Sequence, residues 1–298
     1  MDLSNVNERG DVDDRRGSGG GRRLMIGGGI GGVIIVLLGA FGLISPEVQQ
    51  FLQALVGGQQ QVAQEQDDNK PAPKDGQKEF AEKIVGSSNA VWQEQFRKHY
   101  GKDYKKPRME LFTGGVNTGC GSADSGVGPF YCPADEKVYL DPTFFGELEK
   151  RLHGSAADFS KAYVITHEVG HHVQHLLGYD ARLRNEGFER RERENAGIRL
   201  ELMADYLAGV WAHHADQKYH LIEKGDIDQA FKSAEAIGDD TLQRRGRGTV
   251  NPDSFTHGSS AQRLAFFRDG LKTGDASKPA LDHFFDERID PKKLMPVR

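Results

Sequence analysis

The chain has 298 residues, 37% of them hydrophobic and 28% charged, with a formal net charge of -5. That is material for one sizeable domain plus extras, and so mild an acidity excludes a polyanion-binding surface, so no nucleic acid is expected as a partner. The only cysteines, Cys120 and Cys132, are too few for a disulfide-scaffold protein.

Residues 1–23 are rich in glycine and charge, with only Gly and Ser from Gly17 to Gly21, and predict a disordered tail. Leu24 to Pro46 carries no charge, and its centre is Ile34 to Phe41. The run exceeds the ~20 residues that cross a bilayer as a helix, and the ~7–15 apolar residues of a secretory signal, so it predicts one uncleaved transmembrane helix. Arg9, Arg15, Arg16, Arg22 and Arg23 precede it, and no Lys or Arg follows until Lys70. The positive-inside rule then puts residues 1–23 in the cytoplasm and everything after Pro46 outside. The expectation is a single-pass protein of the inner (cytoplasmic) membrane, with the lipid bilayer as a partner and an extracytoplasmic domain. Residues 47–78 are Gln-rich and then Pro-rich. They predict a short amphipathic piece (Val48, Phe51, Leu52, Leu55) and a flexible stalk.

A globular domain is expected over 79–298. Phe80, Ile84, Val91, Trp92 and Phe96 recur at helical spacing to about Tyr100. Met109–Thr113 and Lys137–Asp141 predict strands, separated by a loop with Gly114, Gly115, Gly119 and Gly121. Cys120 and Cys132 flank that loop's end. In an oxidising compartment they predict a bridge, contributing about 3 kcal/mol by restricting the unfolded chain. Pro142–Leu152 predicts a short helix, and Asp158–Leu177 a buried one ended by Gly178. Arg182–Arg193 is a charged connector, Glu194–His214 a strong helix, and Asp226–Gly238 another. Asp239–Gly248, with Arg244, Arg245 and Arg247, reads as a solvated basic face, and Ser259 or Ser260 can cap a last helix through Leu271.

The chemistry concentrates in His167-Glu168-Val-Gly-His171. Histidines four apart on a helix share one face and can grip one ion, while Glu168 reaches a water on that ion as general base. A zinc hydrolase needs a third protein ligand and an open position for water. The His-x-x-Gly-x-x-His extension fails, because Gln174 and Leu177 occupy those places. Glu201 on the next helix is the best candidate. Asp205, four residues on, is placed to accept the second ring N–H of a ligand histidine. Ala204, Ala208, Gly209 and Gly170 are small enough to let the two helices approach.

His167-Glu168-x-x-His171 followed by Glu201-x-x-x-Asp205 resembles the gluzincin pattern of thermolysin-type metallopeptidases. The anchor, Gly119-Cys-Gly, Tyr131-Cys-Pro, Val138-Tyr-Leu-Asp141 and Thr256-His-Gly-Ser-Ser-Ala-Gln-Arg263 extend the likeness. The whole chain resembles the bacterial membrane-anchored family named "putative neutral zinc metallopeptidase". The resemblance implies a zincin-like α+β domain, mostly helical, whose small sheet includes Val138–Asp141 and offers an edge strand to an extended peptide. It implies one Zn2+ ion on His167, His171 and Glu201, and hydrolysis of peptide or protein substrates. It also implies an oxyanion-stabilising His or Tyr beyond the metal helices. His257 is the first candidate for that role, with Tyr131 and Arg263 behind it. Two other readings stay open: a zinc-stabilised binding or scaffold protein without turnover, and a cell-wall peptide amidase.

Overall fold

The computed structural model describes residues 1–17, 72–182, 190–247, 255, 257–286 and 288–296. Leu24–Pro46 lies outside the described residues, so the predicted anchor does too. Among the described residues no helix is long and apolar enough to cross a membrane.

Residues 1–17 depart from expectation. They carry a strand, β1 (Val12–Asp14), and bury Val6 and Val12 in the main core. A glycine-rich, charged composition argues for disorder only while a segment has no partner; these residues have one. Asp2 N–H donates to Leu221 O, Gly10 N–H to Glu82 O and Arg15 N–H to Leu111 O.

Helix α1 (Gln77–Tyr100) buries Ile84, Val91, Trp92 and Phe96, and Gly101 ends it at φ 61°. Strands β2 (Arg108–Leu111), β3 (Gly115–Thr118), β4 (Gly121–Asp124), β5 (Phe130–Cys132) and β6 (Lys137–Leu140) follow. Four strands form one sheet in the order β1-β2-β6-β5. β1 and β2 pair in parallel (Val12 opposite Met109), as do β2 and β6 (Met109 opposite Val138). β5 runs antiparallel to β6, with Tyr131 opposite Val138, and forms an edge of the sheet. The Val138 segment is therefore an inner strand, and the edges are β1, beside α1, and β5, beside residues 158–177.

β3 and β4 form a separate antiparallel hairpin. Phe112, Val116, Val127, Phe130 and Tyr139 give it a small core of its own, and a Cys120–Cys132 disulfide ties it to β5. This is the predicted bridge.

Helices α2 (Thr143–Leu152), α3 (Asp158–Leu177), α4 (Arg190–Tyr219), α5 (Asp226–Ala236), α6 (Asp239–Arg247), α7 (Ser260–Thr273) and α8 (Lys278–Asp282) complete the fold. α4 starts four residues earlier than expected and takes in part of the charged connector. Gly178 ends α3 at φ 80°, and Ser259 caps α7 in a capping box with Gln262. α3 and α4 meet where a Cβ on Gly170 would lie 3.2 Å from the Ala204 backbone. Gly209 serves another contact: a Cβ there would come within 2.2 Å of Phe267 O, so it fits α4 against α7, not α3. The segment after α8 packs, burying Phe284 and Leu294.

Candidate metal centre

Helix periodicity puts Tyr163, His167 and His171 on one face of α3 at four-residue steps, and that face looks at α4. His167 Nδ1 lies 2.9 Å from Asp205 Oδ1. Asp205 is fully buried, so it must be an acceptor in a satisfied network. It receives Tyr163 Oη–H at 2.5 Å and the Arg263 guanidinium through Nε at 2.8 Å and Nη2 at 3.0 Å. A carboxylate so surrounded accepts from His167 Nδ1–H, which leaves the lone pair on His167 Nε2.

His171 is fixed by different chemistry. Gln174 Nε2 donates to Leu200 O at 2.7 Å, which sets the amide's orientation. Gln174 Oε1 then faces His171 Nδ1 at 2.9 Å and accepts its proton. The lone pair again falls on Nε2, and that atom is buried without a hydrogen-bond partner.

Both bare nitrogens turn to Glu201. His167 Nε2 is 3.3 Å from Glu201 Oε2, and His171 Nε2 is 3.6 Å from Glu201 Oε1. Donors on a tetrahedral zinc with bonds of ~2.0–2.1 Å stand roughly 3.3 Å apart. His167, Glu168 and His171 also each offer a donor atom within 4.8 Å of the others. The donor set is nitrogen and oxygen, largely buried, with an orphaned lone pair at its centre, and it fits a zinc ion.

Electrostatics agree. Burial alone would raise Glu201, but His171, His167 and His257 hold it well below the usual carboxylate range. Burial would lower His167, yet Asp205 and Glu201 raise it to about 10: without a cation, the site keeps a proton there. Burial pushes the Glu168 carboxyl up to about 8, with the Glu201 charge adding to it, against the pull of His167 and the Tyr131 backbone. Glu168 Oε2 has no hydrogen-bond partner.

The remaining predicted residues divide. His257 is buried, and Asp239 at the start of α6 receives its backbone N–H at 2.6 Å and holds Nδ1 at 3.1 Å. Burial lowers its pKa, but Asp239 and the charge of Glu201 raise it more. Tyr131 is turned to another use. His172 Nε2 donates to Lys105 O at 2.6 Å, so its Nδ1 accepts, and the Tyr131 hydroxyl fills that place at 2.9 Å. Arg263 is committed to Asp205.

Three participants escaped the sequence reading. Tyr163 stands one turn before His167 and Gln174 one turn after His171, so helical spacing carried the signal. Asp239 is distant in sequence from His257, and no spacing rule marks it.

With this geometry in place, comparison with known proteins decides the family. The family described as "Putative neutral zinc metallopeptidase" matches residues 1–281. The chain belongs to this family. It is 42% identical over 222 residues to the uncharacterized protein YpfJ of Escherichia coli K12, covering 74% of this chain and 76% of that one. It is 40% identical over 205 residues to the uncharacterized protein Rv2575 of Mycobacterium tuberculosis H37Rv, covering 65% of this chain and 67% of that one. No solved structure matches the chain. Membership supports zinc and a hydrolase of this general kind.

Proposed function

We propose that the protein is a zinc-dependent metallopeptidase of zincin type, holding one ion on His167 Nε2, His171 Nε2 and Glu201. The observation that carries this reading is the pair of tautomers fixed by Asp205 and Gln174, which aim two bare imidazole nitrogens at one carboxylate, 3.3 and 3.6 Å away.

When bound, zinc supplies Lewis acidity for the scissile carbonyl and acidifies water toward neutrality. Glu168 acts as the general base and then returns the proton to the leaving amine. Its carboxyl, lifted by burial to about 8, suits a group that takes and returns a proton near neutral pH. His257, held by Asp239 and favoured in its cationic form, donates to the developing oxyanion, a role worth a few kcal/mol when the donor is preorganised. Asp205 and Gln174 orient the ligand histidines. β5 is the edge strand beside Glu168, and an extended peptide can pair with its backbone.

Glu168→Gln is the test. It keeps the shape of the side chain and removes the base, so zinc content is expected to stay at wild-type level while cleavage of unfolded casein falls by at least ~100-fold. Full activity in that variant would remove Glu168 from the mechanism. Casein cleavage that a chelator abolishes and added zinc restores separates the enzyme from a zinc-stabilised scaffold.

A further inference from the structure

Reading Arg9, Arg15 and Arg16 as a cytoplasmic flank treats them as free charges. In the fold all three are ion-paired to acids. Arg9 pairs with Glu79 at 3.4 Å, and Arg15 with Asp13 at 2.8 Å. Arg16 is the most committed. Its guanidinium reaches Asp14 through Nε at 2.8 Å and Nη2 at 2.7 Å, and Asp75 through Nη1 at 2.8 Å and Nη2 at 3.0 Å. The Arg16 and Asp14 side chains are each only 5% exposed. Asp75 lies beyond the stretch 18–71, so one guanidinium joins the residues on either side of it.

The rest of 1–17 is docked as firmly. β1 adds to the sheet in parallel with β2, and Met109 N–H donates to Asp11 O at 2.9 Å. Where the segment crosses α1, two glycines meet the opposing chain. A Cβ on Gly10 would lie 2.5 Å from Val85 Cβ, and one on Gly86 would lie 2.5 Å from Glu8 O. Side chains do not fit there, so the crossing is a built contact. Further along, Asn5 Nδ2 donates to Tyr219 O at 3.0 Å and Lys83 Nζ to Leu3 O at 3.0 Å.

From these contacts we infer that residues 1–17 and the metal domain lie on the same side of any membrane the chain meets, with the stretch 18–71 leaving and rejoining the domain at the Arg16–Asp75 pair. A single crossing by 24–46 would put about 30 Å of hydrocarbon between Arg16 and Asp75. It would also strip β1 from the sheet and take Asp75 away from Arg16, leaving the buried guanidinium only its local partner Asp14. This replaces the arrangement expected from the arginine count, with 1–23 inside and the domain outside. It does not depend on zinc or on catalysis.

The test uses the full chain expressed in bacterial cells, with one cysteine introduced at an exposed position in each part, Ser4→Cys or Lys102→Cys. The unsubstituted chain, in which Cys120 and Cys132 are bonded to each other, is labelled in parallel, and its signal is subtracted. Spheroplasts are treated with a membrane-impermeant maleimide before and after lysis. Both variants are expected to show the same pattern: both labelled in intact spheroplasts, or both labelled only after lysis. One position labelled before lysis and the other only after would overturn the inference. A cooperative thermal unfolding transition matching that of the unsubstituted chain reports that each variant is folded.

Discussion

The two sides of α3 carry the same residue type and use it in opposite ways. Toward α4, His167 and His171 each have one ring nitrogen tied and present the other, bare, to Glu201. Toward the sheet, His172 has both nitrogens tied, to the Tyr131 hydroxyl and the Lys105 carbonyl. His171 and His172 are neighbours in sequence and both largely enclosed, His171 at 11% side-chain exposure and His172 at 0%. What separates a site from a support is therefore not burial but the unmet bonding capacity left after the fold has formed.

The largest expected effects break that contrast at the ligands. His171→Ala should abolish stoichiometric zinc while costing the metal-free fold only about 1–3 kcal/mol, since it removes an orphaned nitrogen but leaves Gln174 Oε1 without its donor. His172→Ala should keep the zinc. Metal analysis beside denaturant unfolding of chelated protein checks both; zinc loss in the second variant, or retention in the first, would erase the distinction.

Asp205→Asn comes next. It leaves the buried Arg263 without its counter-charge and His167 without a charged acceptor. About 3–5 kcal/mol of stability should go, and zinc affinity should fall roughly 10–100-fold. Unfolding and metal-competition titrations read the two losses separately.

The sheet side should then show itself through pH. Burial pulls His172 from 6.5 to about 4, so the fold holds it neutral. Its contribution is complete above pH 6.5 and is lost as pH falls toward about 4, where the unfolded chain binds the proton and the folded one does not. The predicted loss is about 3 kcal/mol in metal-free protein, and His172→Ala should flatten that part of the profile. Gln174→Ala is the smallest effect, roughly tenfold in zinc affinity, because a neutral acceptor orients His171 without adding charge. An effect as large as that of Asp205→Asn would mean that the two histidines lean on their partners alike.

Much of this was legible in the chain itself. Four-residue spacing placed His167 and His171 on one face, Gly178 and Ser259 marked helix ends, and small residues at Gly170 and Ala204 announced a close crossing. Glu201 and Asp205 could be chosen because acids amid Leu200, Leu202 and Met203 need a reason to be there. The N-terminal residues were misread because composition describes a segment without its partner, and their partner, β2, lies nearly a hundred positions away. The Asp239–His257 contact and the turning of Tyr131 toward His172 are likewise tertiary, and no local pattern encodes them. The bridge between Cys120 and Cys132 was readable because one short loop separates them.

The central claim is that α3 and α4 deliver two imidazoles and one carboxylate to a single point. Zinc-edge X-ray absorption on the full chain, purified without chelator, tests it directly. The account predicts about one zinc per chain, two imidazole nitrogens at ~2.0–2.1 Å, and oxygen for the remaining shell. A sulfur shell, a single imidazole, or a wild-type spectrum unchanged by Glu201→Ala would contradict it.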